Sequence, residues 1–222
     1  MNKGQSYPER RWSQTPEFMG VLRGWKAAGS TVLLGLVWQA YDRLRIRAFA
    51  GLRPAVEDKD LERSITQLLE PEIHQVMTGY EPFYVQHGLY EHETRALPPA
   101  QPPEYDIAFV LWSNPRVMWP LEAKVLRTDG TVAAYIAEIR NDFLTCRYSP
   151  FSSEAAMLGY LLSGEPKNTF ADIAQKGNWQ LSQHPDFADR DHKISDHTRD
   201  VPMGKPYPVQ FRCHHLIFRL QI

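Results

Sequence analysis

Two neighbouring apolar segments that carry charged side chains constrain this chain more than any other feature. Residues 103–112 and 119–126 are of strand length and rich in β-branched and aromatic residues, and a short Asn-Pro turn separates them. This pattern predicts two adjacent strands of a hairpin. Because strand side chains alternate between faces, Glu122 and Lys124 should share one face. Asp106, at the start of the first strand, can come level with them.

Burial of these charges needs a physical reason. Two carboxylates and an ammonium are costly inside a sheet unless they pair or hold a cation, and a divalent-metal site would supply that cation. The order is Asp106, fifteen residues, then Glu122-Ala123-Lys124, with a helix bearing Glu62 upstream. This order resembles the PD-(D/E)XK nuclease superfamily, whose fold is restriction-endonuclease-like. Tyr105 stands where that family has proline.

The resemblance implies an α/β fold, with a mixed central sheet flanked by helices, and a Mg²⁺-dependent endodeoxyribonuclease. Asp106 and Glu122 would ligate one or two Mg²⁺ or Mn²⁺ ions, with the main-chain carbonyl of Ala123 as a further oxygen ligand. Lys124 would orient or help deprotonate the attacking water, and Glu62 would complete the ligand shell or order the water. The implied substrate is DNA, with RNA less favoured.

The helix predicted over residues 58–78 carries Glu62. Its apolar residues recur at helical spacing, and Pro71 predicts a break near Glu70. The segment Glu62-Arg63-Ser64-Ile65-Thr66-Gln67-Leu68 is similar to a helix that precedes the catalytic sheet in the family and places its glutamate in the metal site. The alternative is an ordinary exposed acid in the first turns of a helix, stabilised there by the helix dipole.

Length and composition favour one compact domain. The chain has 222 residues, of which 43% are hydrophobic, and we divide it into an N-terminal tail and helical extension over residues 1–57 and a nuclease-like domain over residues 58–222. The extension should contain helices over 16–28 and from Ser30 or Thr31 to about residue 50. Its apolar window is about ten residues, too short for a membrane span. Two widely spaced cysteines favour a reducing cytoplasm.

The remaining elements follow from apolar periodicity and from turn residues. We expect a first core strand within 80–91, a helix over 131–145, a second helix from Ser152 or Ser153 to Gly164, a short helix over 170–181, and a C-terminal strand over 209–222 at the sheet edge.

The block around the second of these helices has a closer resemblance. Arg147-Tyr148-Ser149 followed by a helix carrying Gly159-Tyr160 resembles bacterial defence-associated PD-(D/E)XK proteins, which implies an effector subunit of an anti-phage system. Arg147 and Tyr148 would then contact phosphate. The alternative is a structural loop between two helices.

The stretch over residues 184–200 is rich in histidine and aspartate, residue types that can bind a metal. No spacing in it matches a known ligand pattern, so we expect a solvated loop. His214 and His215 begin the last strand, and one of them could enter the core or line the site.

Two other interpretations stay open. The net charge of −1 gives no overall basic field for nucleic acid, which favours a catalytically silent subunit that binds nucleic acid or protein within a larger complex. The other is an α/β domain with a chance motif and a surface salt bridge between Glu122 and Lys124. Because a nuclease must be kept from cutting its host, we also expect a protein partner or a homo-oligomer.

Overall fold

The structure is a computed structural model of the chain, and it describes residues 29–47, 57–94 and 102–220. The helix expected over 16–28 lies outside these residues. The described elements are α1 (Ser30–Arg47), α2 (Asp58–Val76), β1 (Phe83–Tyr90), β2 (Glu104–Leu111), β3 (Met118–Leu126), α3 (Ala133–Glu138) with a π-helical turn (Ile139–Phe143), β4 (Glu154–Leu161), α4 (Pro166–Gly177), β5 (Ser182–Gln183), a 3-10 turn (Pro185–Phe187), β6 (His192–Thr198) and β7 (Gln210–Arg219).

The strands form one seven-stranded mixed sheet in the order β1-β2-β3-β4-β7-β6-β5. β4 is parallel to both of its neighbours, and the other pairs are antiparallel. α1 and α2 pack on one face, and α3 and α4 pack on the other. The α/β class, the mixed sheet and its flanking helices are therefore confirmed. None of the helices among the described residues has both the length and the apolar character needed to cross a membrane.

α2 runs through Pro71 without the break expected near Glu70. Leu61, Ile65 and Leu69 are buried at intervals of four residues and hold this helix against the sheet. Proline has no N–H, so the carbonyl of Gln67, four residues earlier, lacks its helical donor. Both Pro71 and Gln67 lie on the exposed side of the helix. Water can satisfy that carbonyl, so the buried face outweighs the local preference of proline.

Residues 154–161 form a strand, so the second helix predicted from Ser152 or Ser153 to Gly164 is wrong. Every residue from Ala155 to Leu161 is buried. β4 lies between two parallel neighbours and is covered on both faces, so its sequence is continuously apolar and lacks strand alternation. A buried helix has the same pattern, and periodicity does not separate the two.

The close packing of β4 predicts the effect of Gly159→Ala. A Cβ at Gly159 would lie 2.7 Å from the side chains of both Ile217 and Leu126, so we expect this substitution to reduce the free energy of unfolding by about 1–3 kcal/mol. Gly35→Ala in α1 is the control, because beyond the helix's own backbone no atom of the described residues lies within 4 Å of the added methyl and alanine is the better helix former. Urea denaturation of both variants measures the difference, and equal stabilities would contradict the packing of β4.

The two C-terminal expectations also need correction. β7 lies between β4 and β6 rather than at the sheet edge. The stretch over 184–200 is no solvated loop, because it contains a 3-10 turn and β6, in which His192, Ser195 and His197 are buried. Burial and the neighbouring histidines lower the pKa of His192 to about 2, and burial lowers the pKa of His197 to about 4. Both rings are therefore neutral and can occupy a core.

Candidate active site

The candidate site lies where β2 and β3 separate. Their pairing runs from Val110 with Met118 to Ile107 with Leu121 and ends there, whereas β3 continues beside β4. Asp106 fills the resulting gap, since its Oδ2 accepts a hydrogen bond of 2.8 Å from the main-chain N–H of Ala123. The carboxylate thus takes the place of a strand carbonyl at the point of divergence.

Lys124 lies at the centre of the site. Its Nζ is 3.3 Å from Glu62 Oε1 and 3.6 Å from Glu138 Oε2, and it donates a hydrogen bond of 2.8 Å to the carbonyl of Ala123. Burial favours the neutral amine, but the surrounding carboxylates outweigh that effect and raise the pKa of Lys124. The side chain is therefore a charged donor at any physiological pH.

Glu122 is the most deeply buried acid of the cluster. Only 2% of the residue is exposed, and its Oε1 has no hydrogen-bond partner among the described residues. Burial, followed by the charge of Asp106, raises the pKa of Glu122 well above its usual range. Without a bound cation this side chain keeps an unsatisfied oxygen, which is an unfavourable state for a buried polar atom.

Glu62 reaches the site from α2. Its side chain is 15% exposed, and its Oε2 accepts a hydrogen bond of 3.2 Å from the main-chain N–H of Val125. Burial raises its pKa to about 7, although Lys124 opposes that shift. Glu62 therefore belongs to the cluster and is not an exposed acid of the helix surface.

A divalent cation fits this donor set. Asp106 and Glu122 supply carboxylate oxygens, and the carbonyl of Ala123, which keeps a second lone pair beside its bond to Lys124, supplies another. A cation would satisfy the orphaned Oε1 of Glu122 and reduce the repulsion between the two acids. Glu62, Asp106 and Glu122 do not bring three ligand atoms within 4.8 Å of one another, so Glu62 fits an outer role.

Glu138 belongs to the cluster but was not identified from sequence. It follows the buried Tyr135 by one helical turn on α3 and has a side chain that is 19% exposed against Lys124. Burial raises its pKa. The signal in the sequence was a charged residue on the apolar face of a helix, which is costly unless the charge is paired.

Arg147 and Tyr148 occupy the loop before β4, and their contact with phosphate stays a prediction. Arg147 pairs with Asp142, and its guanidinium lies 5.3 Å from the ring centre of Tyr148. Tyr148 is 7% exposed and donates its hydroxyl to the carbonyl of Glu104 at 3.1 Å. Burial, followed by the charges of Glu122 and Glu138, raises its pKa. Tyr148 therefore lies in the interior, next to the carboxylate cluster.

The raised pKa of Glu62 predicts how stability depends on pH. Between the usual value of 4.5 and about 7, the folded protein holds a proton on Glu62 that the unfolded chain has lost. The free energy of unfolding should therefore fall as pH rises through this window, by up to about 1.4 kcal/mol per unit and about 3 kcal/mol in total. Glu122 and Glu138 act in the same direction.

Urea denaturation between pH 4.5 and 8 measures this slope. Glu62→Gln should flatten it, whereas Glu57→Gln, at an exposed position just before the same helix, should leave it unchanged. A wild-type stability that increases across the window, or an equal slope in Glu62→Gln, would contradict the assignment.

Comparisons with protein-family models, with curated proteins and with solved structures give no match to this chain.

Proposed function

We propose that this chain is a metal-dependent nuclease that hydrolyses phosphodiester bonds of DNA. The observation that carries the proposal is the buried Glu122 next to the partly buried Asp106 at the divergence of a hairpin, beside a lysine paired with two further acids. A chance motif with a surface salt bridge does not account for an unsatisfied, 2% exposed carboxyl.

The fold is compatible with this proposal at a coarse level. A helix that carries Glu62 precedes the hairpin that carries Asp106, Glu122 and Lys124, and all four residues meet in a mixed sheet flanked by helices. We assign this core to the restriction-endonuclease-like class on the sequence motif. The division of the chain at residue 57 stays a prediction.

Asp106, Glu122 and the carbonyl of Ala123 would hold Mg²⁺ or Mn²⁺. When bound, the ion would activate a water molecule and neutralise negative charge that develops on the scissile phosphate. Hard oxygen ligands such as these suit Mg²⁺ and Mn²⁺ better than Zn²⁺.

The two ionisable groups beside these ligands have separate tasks. Lys124 keeps its proton and therefore acts as a donor that orients the water and stabilises developing negative charge. Glu62, whose pKa is raised to about 7, is the group suited to accept a proton from that water at neutral pH. The mechanism thus uses Glu62 as the base and excludes Lys124 from that role.

The test is cleavage of supercoiled plasmid, single-stranded DNA and RNA by the purified protein, with Mg²⁺, Mn²⁺ or a chelator. We expect DNA cleavage that requires the divalent ion and that Asp106→Asn removes. No cleavage of any substrate under any condition, with folded protein, would overturn the proposal.

A catalytically silent binding subunit is the second candidate. Lys124 is already held by Glu62, Glu138 and the carbonyl of Ala123 without a metal ion. This closed arrangement would suit a binding subunit in which the charged residues only stabilise the fold. Nucleic-acid binding without cleavage, unchanged by Mg²⁺, is the result that favours it.

The proposed role in bacterial defence rests on fewer residues than the proposed nuclease chemistry. Gly159 and Tyr160 lie on β4 rather than on a helix, so only the segment Arg147-Tyr148-Ser149 still carries that resemblance. The defence role and the protein partner stay predictions from the sequence.

A further inference from the structure

Three buried histidines from separate segments meet on the face of the sheet that α1 covers. His184 precedes the 3-10 turn, His192 begins β6 and His214 lies on β7; we name them the histidine trio. One ring nitrogen of each lies within 4.8 Å of those of the other two, and no other group of three or more His, Cys, Asp or Glu among the described residues does so. Their exposures are 6%, 0% and 1%.

The dimensions of the histidine trio match a tetrahedral metal site. His192 Nε2 and His214 Nδ1 are 3.3 Å apart. Two nitrogens bound to one ion at about 2.0–2.1 Å with tetrahedral angles are separated by about 3.3 Å. The three pairs of ring centres are 4.7, 5.4 and 5.4 Å apart, so the rings surround one point.

The outer nitrogen of His214 supports the same interpretation. Its Nε2 is buried, has no hydrogen-bond partner in the part of the chain that the structure describes, and faces Glu154 Oε2 at 3.5 Å. A carboxylate behind a histidine that binds a metal is a frequent arrangement, because it fixes the tautomer and raises the basicity of the ligand. With a proton on Nε2, the inner Nδ1 of His214 is free to bind a cation.

The other two rings must change tautomer when a metal binds. Trp38 Nε1 donates to His192 Nδ1 at 3.3 Å, and the N–H of Asp186 donates to His184 Nδ1 at 3.2 Å. In the metal-free protein both rings therefore carry their proton on Nε2. Metal binding moves each proton to Nδ1, so no proton is released, and both donors must turn away.

We propose that the histidine trio binds Zn²⁺ or a similar transition-metal ion and fastens the 3-10 turn and β6 to β7. Neutral imidazoles are preferred ligands of Zn²⁺. The ring of Phe187 lies over His184 and His192, at 4.9 and 5.2 Å between ring centres. This ring shields His184 and His192 from solvent. Glu122 belongs to the other face of the sheet, so the two metal sites share no ligand.

Titration of chelator-treated protein with Co²⁺ and Zn²⁺ tests the proposal. We expect one Co²⁺ per chain with the strong visible absorption of a four-coordinate site, a change in tryptophan emission as Trp38 turns, and a higher temperature of unfolding with Zn²⁺. His184→Gln should weaken Zn²⁺ binding by at least about tenfold. His74→Gln, on the half-exposed histidine of α2, should not change it.

Glu122→Gln distinguishes this site from the carboxylate cluster, because the variant should still bind Zn²⁺ at the histidine trio. Loss of Zn²⁺ binding in Glu122→Gln with full binding in His184→Gln would overturn the proposal. Failure of the wild-type protein to bind Zn²⁺ saturably would overturn it as well, whatever the fold of the variants.

Discussion

Glu122→Gln is expected to abolish metal-dependent DNA cleavage without unfolding the protein. The amide keeps the size of the side chain but loses the negative charge that holds the ion, so the cleavage rate should fall by at least about 100-fold. Burial and the charge of Asp106 raise the pKa of metal-free Glu122 and so favour its protonated form, which glutamine resembles. The free energy of unfolding should therefore change by less than about 1 kcal/mol.

Two measurements check this prediction. Plasmid cleavage gives the loss of activity, with Glu165→Gln as the control, since the side chain of Glu165 is 60% exposed and pairs with Arg219 at the surface. Thermal unfolding with and without Mg²⁺ gives the binding, because a ligand of the folded state raises its stability. Wild-type protein should be stabilised by Mg²⁺ and Glu122→Gln should not. A variant that cuts DNA at the wild-type rate would remove Glu122 from the site.

The hairpin and the helix that carry the site could be predicted because their signals are local. Alternating faces in residues 119–126 place Glu122 and Lys124 together, and the four-residue spacing of Leu61, Ile65 and Leu69 sets one face of α2. Glu62 could be placed near the site only through the family resemblance. Its contact with Lys124 spans 62 residues of chain, a distance over which periodicity carries no information.

β4 and β6 could not be predicted because the signals that determine them are not local. Their structure is decided by partners far along the chain, such as the pairing of Met157 with His215 and of His192 with Leu216. β4 has an unbroken apolar sequence, and β6 has a polar one that becomes buried only because its histidines are neutral. Glu138 was missed similarly, since only the fold brings α3 against Lys124.

Lys124→Met should cause the largest loss of stability of any single change at the site. The substitution keeps much of the apolar stem but removes the ammonium that faces Glu62 and Glu138, while Asp106 and Glu122 remain nearby. Breaking a buried ion pair from one side leaves uncompensated charge. Because the side chain of Lys124 is 18% exposed, we expect a loss of about 3 kcal/mol at pH 8, near the lower limit for buried pairs.

The pH dependence of this loss distinguishes charge from packing. Without Lys124, the effect that lowers the pKa of Glu62 is gone, so its pKa should rise above about 7. At pH 5 the carboxyl of Glu62 would be protonated, and the cost of Lys124→Met should shrink to about 1 kcal/mol, whereas a packing defect would cost the same at both pH values. Urea denaturation at pH 5 and pH 8 measures the two costs.

The controls for Lys124→Met come from the same chain. Lys176→Met removes a lysine whose side chain is 48% exposed and pairs with Asp172 one helical turn away, so it should cost at most about 0.5 kcal/mol. Adding Glu62→Gln to Lys124→Met should restore about 1 kcal/mol at pH 8, because it removes one of the charges left unpaired. Mg²⁺ should stabilise Lys124→Met more than wild-type protein if Asp106 and Glu122 hold the ion, since the cation then replaces the missing positive charge.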